Sequence, residues 1–375
     1  VRGARKSGFT MVELLLSLGL FSLLLVGLLQ LLDTSTDLWR RVEKRRESTE
    51  VSSALTARLE RDLSTLEAGP EGDFLADWAM VDLDGNGEAG LPLARLRFVR
   101  RASAREVERL RAARAGDDLT EAASVDLDDP DAEPDWARLD RGLVEVAWVL
   151  APTDDKTFQG QLMRAERSLG DEERISLFDS RLFNASGRPV PGLFEELKSG
   201  VLWMDMALAT PMTVTDLPAD GKARWGVGDA PTDGGASWDA WLRGRPNLEL
   251  TSLNRTPSAM PHETKLPLLP RRVRVAFEVQ SDKDQLRRTT LVSEIDHSSV
   301  SFLVVDGRRL PDVDGFFLID EEWFKVKAVA GGRVTVQRGQ RGTPAVAHKM
   351  GAKLWYGWRT EIELPIGMAR EDWSL

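Results

Sequence analysis

The chain has 375 residues, 42% of them hydrophobic and 29% charged, which is enough for two or three domains with a buried core. Its 60 acids against 50 bases give a net charge of −10, and that balance argues against nucleic acid as a main partner. There is no cysteine, which excludes disulfides and thiolate zinc sites, and His262, His297 and His348 are the only imidazoles available for catalysis.

Arg2, Arg5 and Lys6 form a short basic leader, followed by Gly8 and an apolar run from Phe9 to Leu32. As a helix at 1.5 Å per residue that run spans about 36 Å, longer than a bilayer core of about 30 Å. It is too long for a cleaved secretory signal, and no A-x-A site follows it. A plain membrane span fits the length but not Glu13, because a carboxylate in lipid is costly and usually functional. The basic residues before the run predict a cytoplasmic N-terminus.

Gly8-Phe9-Thr10-Met11-Val12-Glu13, with the basic leader before it and the apolar run after it, closely resembles the class III signal of type IV pilins and type II secretion pseudopilins. The resemblance implies that a prepilin peptidase cuts between Gly8 and Phe9 and that the new Phe9 amine is methylated. It implies also that Glu13 serves assembly. A carboxylate desolvated in a membrane or filament would be neutralised by the Phe9 amine of a neighbouring subunit, since removing one partner leaves a buried charge uncompensated. Major pilins often carry a proline in mid-stem; this run has none, and Gly19 and Gly27 are its only weak points, at about 1 kcal/mol each.

Beyond the run, Val51, Leu55, Leu59, Leu63 and Leu66 recur at helical spacing among charged residues, and Gly69-Pro70 stops the pattern. One long helix is expected from about Thr10 to Glu67. Strands are expected at Leu96–Arg101, Gly142–Leu150, Gln161–Ser168, Val201–Leu208 and Arg272–Gln280. In the last of these Val273, Val275, Phe277 and Val279 share one face, as in an antiparallel strand covered on one side. A long helix followed by strands predicts an α+β fold, with the helix lying on an antiparallel sheet. The order of these strands, ending in Pro270-Arg271-Arg272-Val273-Arg274-Val275, resembles the J-type pseudopilins and the W-type minor pilins.

Three stretches read as insertions into such a head. Gly116–Asp135 holds nine acids and no base and reads as an exposed loop. Pro211–Pro270 is rich in Pro, Gly, Asp and Thr and has little periodicity. From about Thr290 to Tyr356 a small all-β module is expected, with strands Ser301–Val305, Phe316–Ile319, Trp323–Ala330, Arg333–Gln337 and Lys353–Trp355. It resembles a small β unit appended to varied bacterial and phage surface proteins. Trp358–Leu364 is expected to return to the sheet of the head.

Asp82-Leu83-Asp84-Gly85-Asn86-Gly87-Glu88 matches the start of a calcium loop, with oxygen ligands at alternate positions and a glycine for the sharp turn. Leu93 stands where the bidentate acid belongs, so two readings are open. One is an ordinary turn without metal. The other is a calcium site using Asp82, Asp84, Asn86 and Glu88 or a distant acid. Gly85 to Gly90 also spells G-x-G-x-x-G, but Pro92 and a strand follow, not a helix. His348 with Glu321 and Glu322 lacks metal or catalytic spacing, and no G-x-S-x-G occurs. Trp203, Trp323, Phe324 and Trp358 read as core or sheet-face residues, with a partner interface as the alternative for one or two of them.

The expected organisation is a leader over 1–8, a membrane stem over 9–32 and a periplasmic helix over 33–68. A β-sheet head over 71–289, the module over 290–356 and a final strand and tail over 357–375 follow. By resemblance the chain is a non-enzymatic minor pseudopilin of type II secretion, at the inner membrane with its head in the periplasm. Its implied partners are the prepilin peptidase and other minor pseudopilins. The alternative is a W-type minor pilin that primes or caps a type IV pilus.

Overall fold

The computed structural model describes residues 11–83, 90–107, 142–153, 160–169, 175–184, 188–190, 192–209, 236–243, 261–270, 272–280 and 288–366. Gly116–Asp135 and most of Pro211–Pro270 lie outside the described residues. The chain divides into a unit ending at Glu50 and a second unit beginning at Val51.

The first unit is helical. Helix α1 runs from Met11 to Ser64, and its residues up to Glu50 are the described part of this unit. Arg46 and Glu50, one turn apart, form an ion pair of 2.9 Å on its surface.

The second unit begins with the last turns of α1, whose Leu55, Leu59 and Leu63 are buried. The helix stops at Ser64, three residues before the expected end, because the backbone that follows pairs with a strand. Glu67 N–H donates to Val99 O at 2.9 Å, and Arg101 N–H to Thr65 O at 2.7 Å. Leu66 therefore enters the core from an extended segment and not from the helical stripe.

Six antiparallel strands form the larger sheet: β1 (Phe74–Val81), β2 (Leu91–Arg101), β3 (Leu143–Pro152), β4 (Gly160–Ser168), β5 (Glu195–Ser199) and, after β6, β7 (Ala236–Asp239), in the order β5-β4-β3-β2-β1-β7. A smaller antiparallel sheet holds β6 (Val201–Ala209), β8 (Arg272–Val279) and β13 (Trp358–Pro365), with β8 central. Strand β6 packs against β2, β3 and β4. One apolar cluster joins Leu55, Leu59 and Leu63 to Trp148, Trp203 and Phe277. Strand β3 is covered on both faces: Val146, Trp148 and Leu150 enter that cluster, while Ala147, Val149 and Ala151 meet Leu177 and Leu182 behind it. That double cover explains why β3 reads as a continuous apolar run.

The expected strands are present, and Trp358–Pro365 does join β8. Three strands carried no readable signal. Strand β1 buries Asp77 between Arg95 and Arg97, which breaks its apolar pattern; β5 is a polar edge; β7 has four residues.

Between β8 and β13 the chain leaves the smaller sheet and builds another. Strands β9 (Ser301–Leu303), β10 (Phe316–Ile319), β11 (Glu322–Ala330) and β12 (Arg333–Gln340) pair in the order β10-β11-β12-β9. They close over their own core of Phe302, Phe317, Phe324, Val326 and Val334. Expected strand Lys353–Trp355 is present only as two isolated bridges, Thr290↔Lys353 and Leu318↔Trp355. The excursion starts and ends at one place, because Val279 and Trp358 are register partners. Gly357 makes that return possible, since a Cβ there would lie 2.8 Å from the Val279 carbonyl.

Asp62, in the last turn of α1, is buried and heavily paired. It accepts from Arg164 Nε at 2.8 Å and Nη2 at 2.9 Å, and from the Trp148 indole at 2.9 Å. Arg100 Nε stands 3.4 Å away, and both arginines also reach Glu166, at 3.0 and 2.7 Å. Burial disfavours the Arg164 charge, yet Asp62 and Glu166 outweigh it and raise its pKa. Asp62→Ala would strand Arg164 and Trp148 in the core, and should cost about 3–5 kcal/mol. Denaturant unfolding of the detergent-solubilised chain checks this; a loss below about 1 kcal/mol would contradict it.

Candidate functional site: the exposed apolar stem

Residues Met11–Thr36 are long and apolar enough to cross a membrane, with 26 residues at a mean hydropathy of 2.4. Leucine-rich sequence gives helix here by propensity, and no proline interrupts it. Its large apolar side chains from Met11 to Leu32 are exposed, whereas a water-soluble helix hides such residues on one face. Its hydroxyl side chains are turned to the backbone: Ser17 Oγ donates to Leu14 O and Ser22 Oγ to Leu18 O, each at 2.9 Å. Polar groups satisfied within the helix are what a hydrocarbon environment requires. Gly27 leaves a dip on the surface, lined by Leu20, Leu23, Leu24, Leu28 and Leu31.

Glu13 lies in the first turn of α1, where the helix dipole favours a negative charge. Gly8 and Phe9 lie outside the described residues, so of the expected processing and assembly positions the structure places Glu13 alone.

The expected calcium loop is described only at its start. Asp82 follows β1, and Asp84, Asn86 and Glu88 lie outside the described residues. The Leu83 N–H donates to Glu321 Oε1 at 2.7 Å. That carboxylate comes from the inserted module, 238 residues further along the chain, and nothing local in the sequence signals the contact. Among the described residues no three His, Asp or Glu side chains gather at metal-binding spacing. Gly90 leads into strand β2 and not into a helix, which removes the dinucleotide reading of Gly85–Gly90.

His348 is buried, with Nδ1 2.8 Å from Asp320 and Nε2 3.0 Å from Glu322. Both ring nitrogens are engaged by carboxylates, so the group is a closed ion-pair cluster with no nitrogen turned to a substrate. Of the two acids named beside His348 in the sequence, Glu322 contacts the ring, whereas Glu321 accepts from the Leu83 N–H and Asp320 is the second acid at the ring. Trp203, Trp323 and Phe324 are core residues, and Trp358 is 37% exposed.

A family model described as the prokaryotic N-terminal methylation motif matches residues 3–29. The match covers most of the leader and most of the apolar stem, and the motif is typical of type IV pilins and pseudopilins. No curated protein and no solved structure matches the chain.

If lipid is the solvent of this segment, charges at its centre will be rejected. The double substitution Leu20→Arg/Leu24→Arg should cost about 3 kcal/mol per site. Alkaline extraction of membranes should then release the variant and retain the parent; equal retention would contradict a membrane role for the stem.

Proposed function

We propose that this chain, which carries a prepilin-type methylation motif on a membrane-length helix, is a minor pseudopilin of a type II protein secretion system. The observation that carries the reading is the match at residues 3–29 running into a fully exposed apolar helix. The α+β head behind that helix supports it.

In this reading the chain enters the inner membrane through its stem, with residues 1–8 in the cytoplasm and the head in the periplasm. The prepilin peptidase cuts between Gly8 and Phe9, and the Phe9 amine is methylated. The work then done is physical rather than catalytic. Lateral packing of stems removes apolar surface from its surroundings and fills dips such as that at Gly27. Register follows from charge: Glu13 is desolvated among stems, and the Phe9 amine of the adjoining subunit neutralises it. A subunit added out of register would leave both charges buried and unpaired. The head contacts the other minor pseudopilins. The calcium reading of Asp82, Asp84, Asn86 and Glu88 is kept as a part of this proposal, with the Glu321 carboxylate bonded to the Leu83 N–H.

Processing is tested by mass spectrometry of the protein extracted from envelopes. A mature chain starting at methylated Phe9 is expected; a chain that retains residues 1–8 would overturn the proposal. Assembly is tested by Glu13→Ala. Loss of about 3 kcal/mol of pairing predicts roughly a hundredfold drop in incorporation, read by cross-linking in native envelopes, while membrane anchoring persists. Cross-linking to other minor pseudopilins is the expected result for the parent chain. Recovery of a major pilin instead would replace this reading by that of a W-type minor pilin.

A further inference from the structure

The apolar span of the stem stops at Thr36, but helix α1 continues without a break to Ser64. A band of charge follows the span. Arg40, Arg41, Lys44, Arg45 and Arg46 are five cations within seven residues, and Glu43 is the one acid among them. Trp39 stands just before the band and is 74% exposed, whereas no described tryptophan of the second unit is more than 37% exposed. An indole in open water gains nothing for its apolar ring. The same indole is favoured at the boundary between hydrocarbon and headgroups, where its ring is covered and its N–H stays wet.

Depth agrees with that boundary. At 1.5 Å per residue Trp39 lies about 4.5 Å past Thr36, and Arg40 and Arg41 lie about 6 and 7.5 Å past it. The headgroup layer on each side of a bilayer is about 5–7 Å thick. Lys44, Arg45 and Arg46 lie about 12–15 Å past Thr36, beyond the layer. The potential of an anionic surface still extends about 10 Å outward at 0.1 M salt, and long basic side chains can reach back toward it.

The charges are also sorted around the helix. At about 100° per residue, positions 40, 41, 44 and 45 fall within an arc of about 140°. Positions 43, 47 and 50, all glutamate, fall within about 60° on another side. Arg46 belongs with that acidic side, since it pairs with Glu50 at 2.9 Å. Asp33 and Asp37 precede the cations on the cationic arc. Asp37, three residues before Arg40 and four before Arg41, offsets part of their charge. Four cations against these two acids leave the arc positive at the level of the headgroups.

We propose that residues 39–46 form a binding surface for anionic phospholipid headgroups, with Trp39 at the hydrocarbon boundary and the arc of Arg40, Arg41, Lys44 and Arg45 on the phosphates. Arginine suits a phosphate by its bidentate fork and lysine by its point charge. The surface sets the depth of the stem, and anionic lipid in the leaflet on the head's side holds it there. A neighbouring stem is the other occupant that charge could select. The leaflet is favoured by continuity, because the span that enters the bilayer ends within one turn of Trp39. The proposal rests on the membrane reading of the stem and not on any one secretion machine.

The test uses the full chain in phosphatidylcholine bilayers that hold spin-labelled phosphatidylglycerol or spin-labelled phosphatidylcholine. Electron paramagnetic resonance reads the motionally restricted fraction of each label, and their ratio gives the preference of the stem for anionic lipid. At low salt the preference should reach about fivefold, the worth of one cation beside an anionic surface. At 1 M salt, where charges are screened within about 3 Å, it should fall below about twofold. Arg40→Gln/Arg41→Gln/Lys44→Gln/Arg45→Gln should bring it to parity, and Asp37→Asn should raise it. Arg2→Gln/Arg5→Gln/Lys6→Gln, which neutralises the leader, should leave most of it. Equal restriction of the two labels overturns the proposal, as does a preference that survives the quadruple substitution or disappears with the leader cations. If the quadruple substitution alters cross-linking between stems but not the lipid preference, the occupant is a second stem and the proposal falls. If phosphatidylcholine shows no restricted fraction at all, the membrane span itself is refuted, and this surface with it.

Discussion

A single carboxylate near the end of a helix sets the head. Asp62 is surrounded by the Arg164 and Arg100 guanidinium groups and the Trp148 indole, supplied by three strands of the larger sheet. Ion pairs of this kind add little net stability over an apolar substitute, because desolvation offsets the Coulomb gain. What they do is forbid alternatives. A helix rotated by one residue, or a strand slipped by one, would leave charges in the core without partners. Leu55, Leu59 and Leu63 contribute the burial, and Asp62 chooses the one arrangement in which that burial is allowed.

The same device recurs across the second unit. Asp77 holds Arg95 and Arg97 between β1 and β2, each at 2.6 Å. Glu145 binds Arg167 at 3.0 Å and receives the Leu177 N–H at 2.7 Å. Glu278 receives Arg341. Each buried acid meets arginine, whose planar fork satisfies several acceptors at once. A chain without cysteine thus cross-braces its sheets with buried charge. Covalent links would be indifferent to pH, whereas these braces depend on carboxylates staying ionised.

How much was legible differs from element to element. The stem was readable because its signal is local: a basic leader, Gly8-Phe9, Glu13 and an unbroken apolar run lie within a few turns of one another. Strands β2, β3, β4, β6 and β8 were readable because apolar alternation or continuity reports how many faces are covered. Strand β1 was hidden by its buried Asp77, since a charged residue in a strand reads as surface until its arginine partners are known. The helix end was overshot because Leu66 continues the helical spacing by coincidence, while backbone pairing to β2 decides its conformation. At the candidate loop after β1, Asp82 was recognisable from spacing, but Glu321 was not, because the contact joins positions 238 residues apart.

The sequence by itself determined the stem helix, its membrane-compatible length, the methylation motif, the α+β class and the existence of a separate β excursion after β8. All of these rest on composition, short-range spacing or periodicity, which a single segment carries alone. Tertiary structure decided the rest. It chose Arg164 and Arg100 for Asp62, Asp320 and Glu322 for His348, and Glu278 with the rings of Trp203, Trp323 and Phe316 for Arg341. An acid in a sequence has many bases available to it. Which one it meets depends on which strands lie side by side, and burial then makes that choice binding, because an unpartnered charge in the core costs more than any one pairing gains.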